Sequence, residues 1–370
     1  MHNAQQTRFC MPAEFERHHG TVMIFPERPG SWGYGAADAR AAFSAIAIRL
    51  SQCEQVYMVV NERTEQAARA LLPPQVKLVR IETDDAWARD VMPTFVRNET
   101  GELRGISWQF NAWGGSFDGL YRDWENDDAA ADAFCAALGV PCINARPFVL
   151  EGGAIHCDGE GTVLVTEACL LSKGRNPQMT KDEITHTLLK YLGAEKVLWL
   201  PHGIFNDETN EHIDNMAAFT APGEIVLAWC DDPADPQFEM SQAAYETLMR
   251  ETAARGRHFR VTKLPVPNPP VCVTEEECAG YDFAEGEDTR EPGERLAASY
   301  VNFYFGNDCV LVPQFGGIYA DADKNACEIL RGCIRGREIV PVPARAILLG
   351  GGNIHCITQQ IPAYDRTAAL

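Results

Sequence analysis

The sequence predicts an α/β fold, built as a closed five-bladed α/β propeller. Three observations lead there. Helix-like and strand-like periodicities alternate five times, hairpin signals fall between the alternations, and one strand at each end of the chain has no neighbour to pair with. A ring of five units accounts for all three, because the two end strands can then pair with each other. A doubly wound sheet fits less well: the hairpins are too frequent, and no G-x-G-x-x-G follows the first strand.

The elements follow in order. Thr21 to Phe25 reads as the first unpaired strand. Ala36 to Cys53 carries Phe43, Ile46 and Leu50 at helical spacing, and the apolar run Val56 to Val60 reads as a buried strand. A second helix over about Asp127 to Leu138 precedes Pro141-Cys142-Ile143. The third opens on a capping box, Thr180 with Glu183, runs to Leu192, and leads into Val197 to Leu200. The fourth covers about Phe238 to Ala254 before the strand Phe259 to Leu264. The fifth covers Ala322 to Cys333 before Glu338 to Val342. Between them lie the hairpins. Thr94 to Val96 and Ile106 to Phe110 flank the turn Asn98 to Gly101, Thr162 to Thr166 follows Asp158-Gly159, and Ile225 to Trp229 follows Pro222-Gly223. Ser299 to Phe305 and Cys309 to Val312 flank Gly306-Asn307-Asp308. Ile347 to Leu349 is read as the last strand. One domain is expected to span residues 1–370. Val266 to Glu294, rich in Pro, Gly and Glu, reads as a long surface loop, either a lid over a site or a solvated insertion.

Composition narrows the function classes. The formal charge is −20 and the pI about 4.8, so the phosphates of nucleic acid and anionic membranes would be repelled, and a cationic small molecule favoured. No apolar run approaches the length of a membrane span. Thirteen cysteines, an odd number without a C-x-x-C pair, read as reduced thiols. With no signal-like N-terminus, a cytoplasmic protein is expected.

The chain spells nearly one motif twice, as Gly152-Gly153-Ala154-Ile155-His156-Cys157 and Gly351-Gly352-Asn353-Ile354-His355-Cys356. Two structurally equivalent sites are the expectation. Glu151 is the distinctive acid at one and Cys356 a candidate nucleophile at the other. The glycines, Gly352 among them, let backbone approach a ligand closely. His212 and Asp214 alternate with Ile213; in a strand both polar side chains would share a face, as a general acid/base pair needs. Asp90 and Glu151 complete an acid-rich set. Several carboxylates around a cysteine disfavour the thiolate unless the substrate is itself a cation. A guanidinium fits, being planar, charged and matched to carboxylates through paired N–H donors.

These segments resemble the agmatine deiminases, in the peptidyl-arginine deiminase-like branch of the guanidino-group modifying superfamily. The likeness runs from Met11-Pro12-Ala13-Glu14 to Thr358-Gln359-Gln360. It includes Asp85 to Asp90, Asn111-Ala112-Trp113-Gly114-Gly115, Asp118-Gly119, Leu150 to Gly153, His212 to Asn215 and Gly350 to Gln360. The resemblance implies a five-bladed pseudo-symmetric α/β propeller, pentein-like, that deiminates a small cationic guanidino substrate without a cofactor. It implies Cys356 as nucleophile, His212 as general acid/base, Asp90 and Asp214 as guanidinium clamp, and Glu151 as a further acid steadying His212. Trp87, Trp113, Asp118 and Gly352 are expected at the substrate, and the protein is expected to form a homo-oligomer. The chain departs from the family at Pro29-Gly30-Ser31-Trp32-Gly33 and at Gly317-Ile318-Tyr319, which leaves the distal end of the pocket unassigned. A metal-dependent hydrolase is the rival of another class. No H-E-x-x-H, H-x-H or paired-cysteine spacing supports it, and no metal is expected.

Overall fold

Five short sheets repeat one plan in the computed structural model, which describes residues 8–365. In each, two strands pair antiparallel, and a helix then carries the chain to a third strand parallel to the second. The first sheet joins Gln359–Pro362, His18–Ile24 and Gln55–Val60, with helix Ala37–Leu50 as the connection. The second joins Thr94–Asn98, Leu103–Gln109 and Cys142–Val149 through Glu125–Leu138. The third uses His156–Cys157, Thr162–Thr166 and Lys196–Leu200 with Lys181–Leu192. The fourth uses Ala217–Ala221, Glu224–Trp229 and Arg260–Pro265 with Gln237–Arg250. The fifth uses Tyr304–Phe305, Cys309–Gln314 and Glu338–Pro343 with Ala320–Cys333.

Helix Lys181–Leu192 illustrates how sequence produces these units. The Thr180 and Glu183 capping box satisfies orphan amides at its start, and Gly193, at φ 61°, ends it in the left-handed region. Ile184, Leu188 and Leu192, four residues apart, are its buried face. Each such side chain contributes about 1.5–3 kcal/mol on burial, so Leu188→Ala would cost about 2–5 kcal/mol. The strands it covers are apolar on both faces, as Val163, Leu164 and Val165 are.

Three expectations need correction. Ile347 to Leu349 is not a strand: Arg345–Leu348 is a helical turn, and three apolar residues without alternation serve either state. The strand that meets the N-terminal one is instead Gln359–Pro362, antiparallel to His18–Ile24 with Gln359 opposite Val22. It brings both ends of the chain into one sheet. Of Ser299 to Phe305, only Tyr304–Phe305 is strand. Helix Glu65–Leu71 and edge strand Lys77–Arg80 extend the first sheet beyond the expected unit. No helix among the described residues is long and apolar enough to cross a membrane.

Candidate active site

The ladder registers place the five units on a common scale. With the first pair of each parallel ladder as origin, Gln360, Thr94, Cys157, Phe219 and Phe305 are equivalent. The residues four positions before them are Cys356, Asp90, Gly153, Asn215 and Val301. Glu151, His212, Asp214 and Asn302 all lie within three residues of these points. The site is therefore drawn from one stretch of every unit, the turn that enters the first strand of its antiparallel pair. The same scale corrects the repeat. The structural equivalent of Cys157 is Gln360, four residues past Cys356, so the two Gly-Gly-x-Ile-His-Cys copies do not occupy equivalent places. His156 and Cys157 lie on a strand, whereas His355 and Cys356 lie in the turn before one.

Each turn aims its polar residue inward. Asp90 sits in the helical turn Ala88–Val91, and Glu151 precedes the 3-10 turn Gly152–Ala154. His212 precedes the helical turn Ile213–Met216, which contains Asp214. His212 and Asp214 are thus not alternating strand residues. Convergence comes instead from the turn, whose helical twist brings the His212 and Asp214 side chains to the Gly153 backbone. Gly153 is where the three meet: a Cβ there would lie 2.5 Å from His212 Nδ1, 2.9 Å from Asp90 Oδ1 and 3.0 Å from Asp214 Oδ2. Gly352 has a like role, since its Cβ would lie 2.5 Å from the Trp87 ring and 2.9 Å from Cys356 Cβ.

Cys356 Sγ is 3.7 Å from Asp214 Oδ2 and 3.5 Å from Asn302 Oδ1. His212 Nε2 is 3.4 Å from Glu151 Oε2, and Nδ1 is 4.0 Å from Asp90 Oδ1. Glu151 is buried and also accepts from Arg175 Nε at 3.0 Å. Arg175 donates in turn to the Trp113 carbonyl, the Thr209 carbonyl and Asn210. Among the described residues, the Asp90 carboxylate accepts from two neutral donors, Trp113 Nε1 and the Gly153 amide, each at 2.9 Å. Asp214 Oδ1 is buried and accepts no hydrogen bond among the described residues.

These surroundings set the protonation states. Burial, with Asp214 and Glu151 nearby, pushes Asp90 up to about 6 in spite of His212. Glu151 is also desolvated, but Arg175 and His212 outweigh that and hold it below its usual range. His212 is raised well above its ordinary value: burial opposes the charge, and Asp90, Cys169 and Glu151 together overcome it. Burial, then Asp214 and Asp90, push the Cys356 thiol well up. At neutral pH the site holds a thiol, an imidazolium and carboxylates.

A cavity opens over this group, lined by Asp90, His212, Cys356, Trp87, Trp113 and Gly352 at its floor. Asp214 lies against Cys356, and Glu151 against His212. Asp118 is displaced from the expected place. It is exposed on the turn Gly115–Asp118, where its carboxylate holds Asn210, and Asn210 in turn holds Arg175. The upper wall comes from the long loop: Phe283, Glu287, Asp288 and Arg290 face the cavity, together with Gly30 and Ser31 from one of the two divergent segments. Both arginines on that wall are paired, Arg290 with Glu208 and Arg28 with Glu287. Sequence reasoning missed Asn302, Arg175 and Glu208. None lies in a short motif, and only the recurrence of the strand-entry turn in the fifth unit could have pointed to Asn302. Glu151, Cys169 and His212 bring three donor atoms within 4.8 Å of one another, a spacing a metal ion could use. Arg175 already occupies the Glu151 carboxylate there, so these three side chains do not fit a metal ion.

Comparison with known proteins places this geometry. Residues 10–362 match the model of the Porphyromonas-type peptidyl-arginine deiminases. The chain belongs to that family. It is 57% identical over 362 residues to a Selenomonas ruminantium protein named "Putative agmatine deiminase", with 97% of each chain covered. The solved agmatine deiminase of Enterococcus faecalis superposes with a TM-score of 0.92 at 44% identity, covering 96% of both chains. Campylobacter jejuni agmatine deiminase carrying a Cys-to-Ser substitution, solved with substrate bound, shares the fold at a TM-score of 0.82 and 24% identity, covering 98% of both chains. The family membership makes the fold a mixed α/β one shared with deiminases.

Proposed function

We propose that this chain is an agmatine deiminase, hydrolysing agmatine to N-carbamoylputrescine and ammonia on a single closed five-bladed propeller. The observation that carries the reading is the convergence at Gly153. Two buried carboxylates, Asp90 and Asp214, and an imidazolium, His212, meet there beside the Cys356 thiol. The set is built to draw in a cation and then attack it. A guanidinium lying on Trp87 and paired with Asp90 and Asp214 would bring its carbon to Cys356 Sγ. Its positive charge offsets the carboxylates that raise the thiol, so the substrate itself promotes thiolate formation.

The chemistry then balances in two halves. With the guanidinium bound, Cys356 gives up its thiol proton to solvent and the thiolate Sγ bonds to the guanidinium carbon; His212 gives its proton to the departing nitrogen, and the C–N bond breaks to release ammonia. An amidino-thioether remains on Cys356. His212, now neutral, takes a proton from water. The hydroxide adds to the same carbon, the C–S bond breaks as the added hydroxyl becomes the ureido carbonyl, and its proton passes to sulfur to restore the thiol. Agmatine is favoured over arginine because Arg28 and Arg290, the cations facing the upper cavity, are already paired with Glu287 and Glu208. Neither is left to receive a substrate carboxylate, and the acidic chain suits a dication. Ammonia release from agmatine, arginine and a peptidyl-arginine tests this. Turnover of agmatine alone is expected, and comparable turnover of arginine would overturn the substrate assignment.

A further inference from the structure

Behind the Cys356 turn a chain of charged groups leads away from Asp214, and beyond Asp214 it has no part in the two half-reactions. Asp214 Oδ2 is 2.8 Å from His355 Nδ1, and His355 Nε2 is 2.6 Å from Glu14 Oε2. Glu14 is fixed in turn by Arg89 Nη2 at 3.3 Å and by the Phe305 amide at 3.0 Å. Arg89 Nη1 ends on Gln360 at 2.6 Å. His355, Glu14, Asp214 and Arg89 are all buried. The His355 amide is held as well, by Asn302 Oδ1 at 2.9 Å, the atom that lies 3.5 Å from Cys356 Sγ.

A neutral imidazole has one donor and one acceptor nitrogen, whereas a carboxylate only accepts. Both His355 nitrogens face carboxylates at hydrogen-bond distance. Unless one of those buried acids is protonated, His355 must be an imidazolium donating at both ends. We propose that His355, clasped by Glu14, is a positioning residue for the reaction at Cys356: as an imidazolium it keeps Asp214 ionised and its Oδ1 turned free for the guanidinium. The proposal rests on the role given to Asp214 above.

The groups facing His355 are Asp214, Glu14, Arg89, His156, stacked at 6.1 Å, and Cys356 beside it in sequence. Burial and Arg89 oppose its charge, while Glu14 and Asp214 outweigh them and raise its pKa. His156 is driven down to about 4, chiefly by burial, and stays neutral. The same contacts hold Glu14 and Asp214 below the usual carboxylate range. The sign follows: His355 charge is present at low pH and is lost as pH rises through its folded pKa. Removing the Glu14 charge lowers that pKa and brings the loss to lower pH.

The test uses the full chain with histidine ring nitrogens labelled and His355 assigned from the His355→Gln spectrum. In the unsubstituted protein, His355 is expected to keep both ring protons at a pH where a free imidazole, titrating at about 6.5, has lost one, and a neutral ring there overturns the proposal. In Glu14→Gln it should titrate at lower pH than in the unsubstituted protein. The ratio of variant to wild-type kcat/KM should then be highest at low pH and fall as pH rises through the His355 titration seen in the variant. A loss equal at every pH would mark Glu14 as structural only and refute the inference. If the unsubstituted enzyme does not turn over agmatine, the proposed function fails, and the nitrogen titration alone still decides the state of His355.

Discussion

Gly153→Ala probes the meeting point of the site without removing any functional group. The added Cβ would lie 2.5 Å from His212 Nδ1 and 2.9 Å from Asp90 Oδ1, whereas an unstrained contact needs about 3.5 Å. Either the His212 ring retreats by about 1 Å or the turn Gly152–Ala154 moves as a body. His212 is wedged between Glu151 and Asp90, and Glu151 is tied to Arg175, so retreat breaks that geometry. A misplacement of about 1 Å typically costs about a hundredfold, near 2.7 kcal/mol in kcat/KM. Overpacking should add about 1–3 kcal/mol of lost stability. Ammonia release from agmatine gives the first number and denaturant unfolding the second. The control is Gly332→Ala in helix Ala320–Cys333, where a Cβ meets nothing within 4 Å. That change should stabilise by up to about 1 kcal/mol with activity kept. If Gly153→Ala kept more than about half the wild-type kcat/KM, the claim that these side chains must close on the bare backbone would be wrong.

Other consequences follow from the same arrangement. Asp90→Asn should lower kcat/KM by about 2–4 kcal/mol through loss of a charge-assisted contact, while Glu276→Gln, exposed on the long loop, should do almost nothing. The folded Asp90 carboxyl titrates at about 6 and an unfolded one near 3.9. The folded state therefore holds more protons between those values, and stability falls as pH rises through that window. Above it the penalty is on the order of 3 kcal/mol, so Asp90→Asn should raise Tm at pH 7.5 even as it damages catalysis; an unchanged or lower Tm would contradict this. A small haloacetamidine should alkylate Cys356 ahead of the other thiols, with agmatine protecting, as peptide mapping would reveal. Cys356→Ala should abolish labelling and turnover, and Cys157→Ala should keep both, because Cys157 is buried with its thiol pushed up and donating to the Met11 and Pro12 carbonyls. Dialysis against a chelator should leave activity intact; a loss restored by added metal would revive a metal-centred reading.

The sequence alone determined the five helix–strand units, because their signals are local. Spacing of Phe43, Ile46 and Leu50, the Thr180–Glu183 capping box, and the Asn98 to Gly101 turn each act within a few residues. It also pointed to Cys356, His212, Glu151, Asp90 and Asp214, since each sits in a segment through which the chain resembles the agmatine deiminases. Tertiary structure decided what depends on distance along the chain. Gln359–Pro362, not Ile347 to Leu349, pairs with the N-terminal strand, because pairing is fixed by register across more than three hundred residues. The repeated motif looked like symmetry, yet ladder registers set its copies four residues apart. Asn302 and Arg175 have no local signature, and Glu14 and His355 lie in separate motifs whose pairing spans more than three hundred residues. They matter because the turns of separate units converge, and there burial turns ordinary polar residues into a charged network.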